Sequence, residues 1–182
     1  GKLAVADNLF RTNYLQRVAS LQIRLGKTDE AIAACEAIID ANPASPESYQ
    51  FYARTAFGVS RDEEAIAALR RAMTVAPRDN APRRMLASHY ADRFRTDQAI
   101  ELYWQALTYE PKTDDKINVI RALAPLYDRK ADLETLIGRI EEINRSDGHA
   151  STANLMIAAA EEAVHDFGAA RRASAPGVPG QP

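Results

Sequence analysis

The sequence has little of what several common protein classes require. Its 182 residues include one cysteine, Cys35, which excludes an internal disulfide and a multi-cysteine metal site. Strand-forming runs of valine, isoleucine and threonine are missing, and aromatic residues make up only 7% of the chain, whereas alanine is abundant. This composition predicts an all-α protein built from packed helices.

Positive charge is not in excess either, since the net charge is −2 and the isoelectric point is about 6.0. A duplex-binding domain usually carries clustered lysine and arginine, so we expect no nucleic-acid partner. No apolar stretch approaches the roughly 20 residues that span a bilayer, and no signal peptide opens the chain. We therefore expect no membrane partner and weakly favour a cytoplasmic localisation. The chain starts at Gly-Lys rather than Met, as expected for a piece of a longer protein.

What the chain does have is a repeat of 34 residues. This step separates three prolines and two series of three alanines: Pro43, Pro77 and Pro111; Ala19, Ala53 and Ala87; Ala31, Ala65 and Ala99. A fixed period of this length indicates one supersecondary unit copied in tandem. Stacked copies bury a shared core and present an extended surface, so the period favours binding over catalysis.

Each repeat is expected to form two helices. In the second repeat, Ser45-Pro46-Glu47 is a helix-start signal, with a hydroxyl N-cap, proline at the first helical place and an acid in the first turn. Residues 58–62 interrupt the pattern, and the second helix ends before Pro77, because proline cannot donate to the preceding turn. Ala53 and Ala65 lie where the paired helices approach closely, and overpacking there would cost roughly 1–3 kcal/mol.

This pattern resembles the tetratricopeptide repeat, a helix-turn-helix with small residues in both helices and a closing proline. The residues that carry the resemblance are Ala19, Ala31 and Pro43; Ala53, Ala65, Ala72 and Pro77; Ala87, Ala99, Ala106 and Pro111; and the turn sequences at 26–32 and 61–66. The resemblance implies an α-solenoid of stacked antiparallel helix pairs, wound as a right-handed superhelix. It also implies a non-catalytic module that binds a peptide or partner segment in a concave groove.

The expected organisation is a single array over residues 1–174 and a disordered tail at 175–182. The repeats fall at about 12–45, 46–79, 80–113 and 114–147, with a partial repeat or capping helix at 148–174. The fourth repeat keeps the period but has Arg121 and Leu133 where the alanines belong, and Pro125 is expected to kink or shorten its first helix. Helices are predicted near 8–25, 28–41, 46–58, 62–75, 80–92, 96–109, 114–127, 132–145 and 151–166.

No catalytic, cofactor or metal site is expected. His165 follows Glu161 by four residues, so the two share a helix face, but zinc needs three or four protein ligands. An ordinary polar pair is the preferred interpretation. Cys35 takes a core position, where a thiol is generally inert. We therefore expect no enzyme activity, and an enzyme that uses His149, Glu161 and His165 ranks last among the function classes.

The resemblance places one face of each repeat's first helix along the groove. On this chain the groove positions are Gln16, Ser20, Arg24, Gln50, Arg54, Phe57, Arg84, Ser88 and Asn118. Positive charge on a slightly acidic chain favours an acidic partner segment, because the planar guanidinium suits carboxylates, although arginines that merely solvate a surface explain the pattern equally well. Arg54 and Arg84, which we take to hold matching places on neighbouring helices, are expected to stand in a row with Phe57 between them.

Trp104 stands where the first two repeats have Glu36 and Arg70, which indicates an outward place on its helix. Two interpretations stay open: an outer contact patch, since tryptophan is enriched in binding hot spots, or a ring folded over the junction with the irregular fourth repeat. The alternative function is a self-assembling scaffold or an accessory subunit of a larger complex. Such a scaffold would form homo-oligomers through Trp104 or through the exposed end of the array.

Overall fold

The computed structural model describes residues 2–110, 112–147 and 150–174, and every regular element in these ranges is an α-helix. The helices are α1 (Lys2–Arg24), α2 (Thr28–Ala41), α3 (Pro46–Gly58), α4 (Asp62–Val75), α5 (Ala81–Asp92), α6 (Thr96–Thr108), α7 (Thr113–Arg129), α8 (Leu133–Asp147) and α9 (Ala150–Ser174). The all-α prediction is therefore confirmed for the described residues. Pro111, His149 and the expected tail at 175–182 lie outside them.

The predicted helix bounds agree with α2 to α6 to within one residue. The largest differences are at the ends of the chain, where α1 begins at Lys2 and α9 continues past Gly168 to Ser174. A glycine inside a helix costs only about 1 kcal/mol, so Gly168 need not end α9. Ser45 does precede α3, but its hydroxyl donates to Glu47 Oε2 at 2.6 Å and caps no backbone amide, so the hydroxyl cap is wrong.

Each turn inside a helix pair contains a residue in the left-handed region. These turn residues are Gly26, Ser60, Phe94 and Ala131, with φ of 72°, 62°, 58° and 53°. In every case the next amide donates to the carbonyl five residues earlier, at 2.8–3.0 Å, and so closes the C-terminus of the preceding helix. The first three turn residues keep the 34-residue step, whereas Ala131 follows Phe94 by 37.

The fourth repeat therefore does not keep the period, because its first helix is longer. α7 has 17 residues, against 13 in α3 and 12 in α5, and it does not end at Pro125. Counted back from the turn, Ala124 takes the place of the earlier spacing alanines Ala19, Ala53 and Ala87, and all four are 0% exposed. The assignment of Arg121 to this place is wrong by three residues.

The same correction applies to the second helix of the fourth repeat. Leu136, five residues after the turn, matches the alanines Ala31, Ala65 and Ala99, and it is fully buried. The assignment of Leu133 to this place is therefore also wrong. α8 thus has a large side chain where the second helices of the earlier repeats have a small one.

The chain forms two compact units, Gly1–Leu86 and Ala87–Pro182, and the boundary falls inside α5. In the N-terminal unit, α1 packs against α2, α2 against α3, and α3 against α4. Buried alanines line both helix pairs, and Ile38 of α2 and Leu69 of α4 are large side chains that are fully buried in this unit. Thr55 of α3 lies beside the Cys35 thiol of α2, so the two pairs are in contact there.

The C-terminal unit is organised around α7. Helices α6, α8 and α9 all pack against α7, and α8 also contacts α9. Its core is built from larger side chains than the alanine-lined pairs of the N-terminal unit: Ile120, Leu123, Leu126, Leu136, Ile140 and Met156.

Candidate functional site

Three of the predicted groove residues line one cleft in the N-terminal unit. Gln16, Ser20 and Arg24 follow one another on α1 at intervals of four residues, which places them on one side of the helix. The cleft has a volume of about 800 Å³, and its remaining walls are Asn13, Arg17, Leu21 and Phe51. Two of its seven lining residues are arginines and none is acidic, so the cleft is positively charged.

The polar groups of this cleft differ in how they are held. The Ser20 hydroxyl donates to the backbone carbonyl of Gln16 at 2.9 Å, so it is turned towards its own helix. Arg17 and Arg24 are exposed, and no described hydrogen bond or ion pair occupies either guanidinium group. Both arginines are therefore available to an anionic ligand.

The groove residues of α3 are less uniform. Gln50 Nε2 donates to Asp79 Oδ2 at 2.8 Å, so its amide helps to hold the loop between α4 and α5. Phe57 is half-buried, whereas Arg54 is exposed and has no partner among the described contacts. None of these three residues lines the α1 cleft.

Arg54 and Arg84 do not hold matching places. Arg54 lies six residues before its turn residue, Ser60, whereas Arg84 lies ten residues before Phe94. The two positions therefore differ by about one helical turn along their helices. The places that match Arg84 are held by Gln16 and Gln50, and those that match Arg54 are held by Ser20 and Ser88. The expectation of matching guanidinium groups in a row is wrong.

In the C-terminal unit, the greater length of α7 changes which of its residues holds the predicted groove position. Ser88 and Asn118 are both exposed, but Asn118 lies thirteen residues before the turn residue Ala131 and so misses the predicted place. Arg121, ten residues before Ala131, holds it instead, and its Nη2 donates to Glu162 Oε2 of α9 at 2.9 Å. A constant step of 34 residues could not find Arg121.

Trp104 folds over the junction with the fourth repeat. Trp104 is only 9% exposed, and its indole N–H donates to Tyr127 Oη of α7 at 3.0 Å. The guanidinium carbon of Arg139, on α8, lies 4.0 Å from the centre of a Trp104 ring, and Arg139 Nη1 also donates to Tyr127 Oη at 3.3 Å. Of the two interpretations of Trp104, the junction is therefore the one that the structure matches, and the outer contact patch is wrong.

Metal ligands and the Cys35 thiol are the candidate catalytic groups among the described residues. No group of three or more histidines, cysteines and acids within them is placed to hold a metal ion, and His165 Nδ1 lies 3.9 Å from Asp166 Oδ1. Burial raises the pKa of the Cys35 thiol, which keeps it protonated and a poor nucleophile. In the same ranges, no helix combines the length and apolarity needed to cross a bilayer.

Comparisons with solved structures identify the architecture. A structure of MamA is 18% identical, with 87% of this chain and 81% of that one covered and a TM-score of 0.55. The Pseudomonas aeruginosa pilF structure is 13% identical over 91% of this chain and 74% of that one, with a TM-score of 0.58. A chain of Naa15/Naa10 bound to HypK-THB is 20% identical over 93% of this chain and 26% of that one, with a TM-score of 0.54.

At these identities the likeness concerns the fold alone, and it is that of a helical-repeat solenoid. No curated protein matches the sequence closely enough to count as a relative. The sequence profile of the tetratricopeptide repeat family matches residues 22–90, which run from the end of α1 to the last turns of α5. This range contains the spacing alanines Ala31, Ala53, Ala65 and Ala87 and the turn residues Gly26 and Ser60. The chain therefore carries tetratricopeptide repeats over residues 22–90.

Proposed function

We propose that this protein is a non-catalytic interaction module whose N-terminal unit binds an acidic peptide segment in the cleft on α1. The observation that carries the proposal is the lining of that cleft, in which Arg17 and Arg24 face no described acid. Arginine suits this role because its planar fork donates two parallel hydrogen bonds to a carboxylate. The two apolar members, Leu21 and Phe51, would take an apolar side chain of the same segment.

The length of the cleft sets the length of the ligand. From Asn13 to Arg24, α1 rises about 16 Å, at about 1.5 Å per residue. An extended peptide covers that distance with about five residues. A segment of this length with acids spaced to meet both arginines fits the surface. The repeat fold supports the proposal, because stacked helix pairs present extended surfaces that bind other proteins.

The test uses fluorescence anisotropy with a labelled peptide of alternating glutamate and leucine, and a glutamine-leucine peptide as the uncharged reference. We expect Arg17→Glu with Arg24→Glu to weaken binding of the acidic peptide at least tenfold. The matched control is Arg70→Glu with Arg71→Glu on α4, which changes the net charge equally at two exposed arginines. Binding should also weaken as salt rises, because exposed charges are screened.

Two results would overturn this proposal. If the α4 control weakens binding as much as the α1 variant, net charge rather than the cleft attracts the peptide. If the glutamine peptide binds as tightly as the glutamate peptide, the cleft does not select acids. A separate Arg54→Glu variant shows whether the peptide continues onto α3, since this exposed arginine lies outside the α1 cleft.

A self-assembling scaffold is the second candidate function. With Trp104 buried, that scaffold would have to join copies through the exposed end of the array, where α1 carries exposed apolar side chains. Light scattering over a concentration series separates the two candidates. A mass that stays at the 20.0 kDa of one chain excludes the scaffold in this concentration range.

A further inference from the structure

α1 and the residue after it carry four of the seven large apolar side chains that are exposed among the described residues. Phe10 is 83% exposed, Tyr14 66%, Leu21 53% and Leu25 62%. Their spacings of four, seven and four residues place them within about 60° of one another around the helix, on the side opposite the buried Ala19. These four residues are called the outer stripe of α1.

The next repeat shows what can lie against such a stripe. One period further along the chain, Ser48 of α3 matches Tyr14 and is only 4% exposed. Thr55 of α3 matches Leu21, and its side chain lies beside Cys35 of α2. The face of α3 that matches the outer stripe is therefore covered by a helix, α2. A helix placed against the outer stripe of α1, as α2 is placed against α3, would cover it in the same way.

Charge and size define which helix fits. Residues 10–27 contain Arg11, Arg17, Arg24 and Lys27 and no acid, so this part of the α1 surface carries an excess of positive charge. α2, which covers α3, contains four acids, no base and five alanines. Small side chains on a partner helix would let the large side chains of the outer stripe pack against it. Opposite charges at the rim would favour its approach.

We infer that the outer stripe is a docking surface for an acidic, alanine-rich amphipathic helix of a partner protein, seated on α1 as α2 is seated on α3. This inference goes beyond the peptide-binding cleft, which lies on the neighbouring side of α1. Tyr14 and Leu25 belong to the outer stripe and do not line the cleft, so the two surfaces can be tested separately.

The experiment measures binding of a labelled synthetic peptide with the α2 sequence, in which Cys35 is replaced by alanine, to the full chain. We expect a dissociation constant below about 1 mM at low salt, and at least a tenfold weakening by Tyr14→Asp with Leu25→Asp. The matched control, Tyr109→Asp with Leu155→Asp, changes one tyrosine and one leucine that are 50% and 53% exposed in the C-terminal unit, and should stay within twofold. A peptide with lysine in place of the four acids should bind at least tenfold more weakly.

A milder variant guards against an effect on folding. Tyr14→Ser gives α1 the residue that α3 has at the matching place, and it should also weaken binding while the circular dichroism of the chain stays unchanged. Arg54→Glu, which lies on α3 and outside the outer stripe, should leave binding of the α2 peptide within twofold. Loss of α2-peptide binding in Tyr14→Ser, with retained binding of the glutamate-leucine peptide in the cleft that Tyr14 does not line, would separate the two proposals.

Three outcomes would overturn the inference. The first is no binding of the α2 peptide up to 1 mM, or binding that the stripe variants leave unchanged. The second is self-association of the unmodified chain that Tyr14→Asp with Leu25→Asp abolishes, which would make the stripe a contact between copies. The third is stripe-dependent binding to phosphatidylserine vesicles in the absence of peptide binding, which would assign the basic, apolar face to a lipid surface.

Discussion

The two compact units of this chain are built from the same kind of helix pair but fill it differently. In the N-terminal unit, alanine stands at the close-approach place of both helices, as Ala53 and Ala65 show in the second pair. In the fourth pair, the first helix keeps its alanine, Ala124, whereas the second has Leu136. The first helix of that pair, α7, is also in contact with three other helices, α6, α8 and α9.

This difference shows which part of the repeat is strict. The distance from the spacing alanine to the left-handed turn residue is seven residues in all four pairs, from Ala19 to Gly26 and from Ala124 to Ala131. The length of the helix before that alanine varies, and α7 is the longest of α3, α5 and α7. The repeat therefore fixes the contact and the turn together, while extra residues are accommodated at the start of the helix.

The largest expected effect comes from placing alanine at Leu136, as in the earlier repeats. Leu136→Ala should destabilise the chain by about 2–5 kcal/mol, because a fully buried leucine leaves a cavity. Urea unfolding monitored by the fluorescence of Trp104, the only tryptophan, measures this in the C-terminal unit. The exposed Leu155→Ala is the control and should stay within about 0.5 kcal/mol. A neutral or stabilising Leu136→Ala would mean that the fourth pair is built like the others.

The second prediction tests the shifted register of α7. Ala53→Leu and Ala124→Leu should each cost roughly 1–3 kcal/mol, since both alanines are fully buried between packed helices. Arg121→Leu should cost less than about 1 kcal/mol, because it removes only an exposed ion pair with Glu162. Urea titrations followed by circular dichroism compare the three. If Arg121→Leu were the most destabilising of the three variants, Arg121 rather than Ala124 would hold the spacing position of α7.

The third prediction sets the turns of the two units against each other. Gly26→Ala should destabilise by about 1 kcal/mol, and Ala131→Gly should stabilise by up to about 1 kcal/mol, because both positions have positive φ. An added Cβ at Gly26 would meet no atom within 4 Å, so the expected cost comes from the backbone conformation alone. Thermal melts of the two variants should shift in opposite directions. Shifts of the same sign would show that the left-handed turns are not equivalent.

The smallest expected effect is a pH dependence that belongs to the N-terminal unit. Burial raises the pKa of Cys35 in the folded state, so the thiol is deprotonated more easily in the unfolded chain. Its contribution to stability is complete below the ordinary cysteine pKa of about 8.5 and is lost as the pH rises through the folded value. Between pH 8 and 9.5 the unmodified chain should lose up to about 1 kcal/mol more than Cys35→Ser. Parallel pH profiles of the two proteins would contradict this.

Much of the fold could be predicted because its signals are local. Ala31, Ala65 and Ala99 mark the second helices at a constant step, and Pro46 marks the first turn of α3. These features act within one or two turns of the chain, so they give the bounds of α2 to α6 almost without error. The profile match to tetratricopeptide repeats over residues 22–90 lies in the same regular part.

The candidate site was less predictable because its features depend on distant residues. Trp104 is buried by Tyr127 and Arg139, which belong to a later helix pair and cannot be inferred from the residues that match Trp104 in earlier repeats. Arg121 was missed because a constant period was applied to a lengthened helix. The outer stripe did leave a signal, since Phe10 and Tyr14 are spaced like core residues of a helix, but sequence alone does not show that nothing in the described chain covers them.

Pro125 has a consequence for how α7 would respond to deuterated water. It lies inside the helix and has no amide hydrogen, so the carbonyl of Arg121 lacks the donor that the helical pattern would supply. The hydrogen-bond ladder of α7 is thus interrupted just before its last turn, next to the buried Ala124. Amide exchange should divide the helix into two zones, with slow exchange at the buried Ile120, Leu123 and Ala124 and faster exchange in the last turn after Pro125.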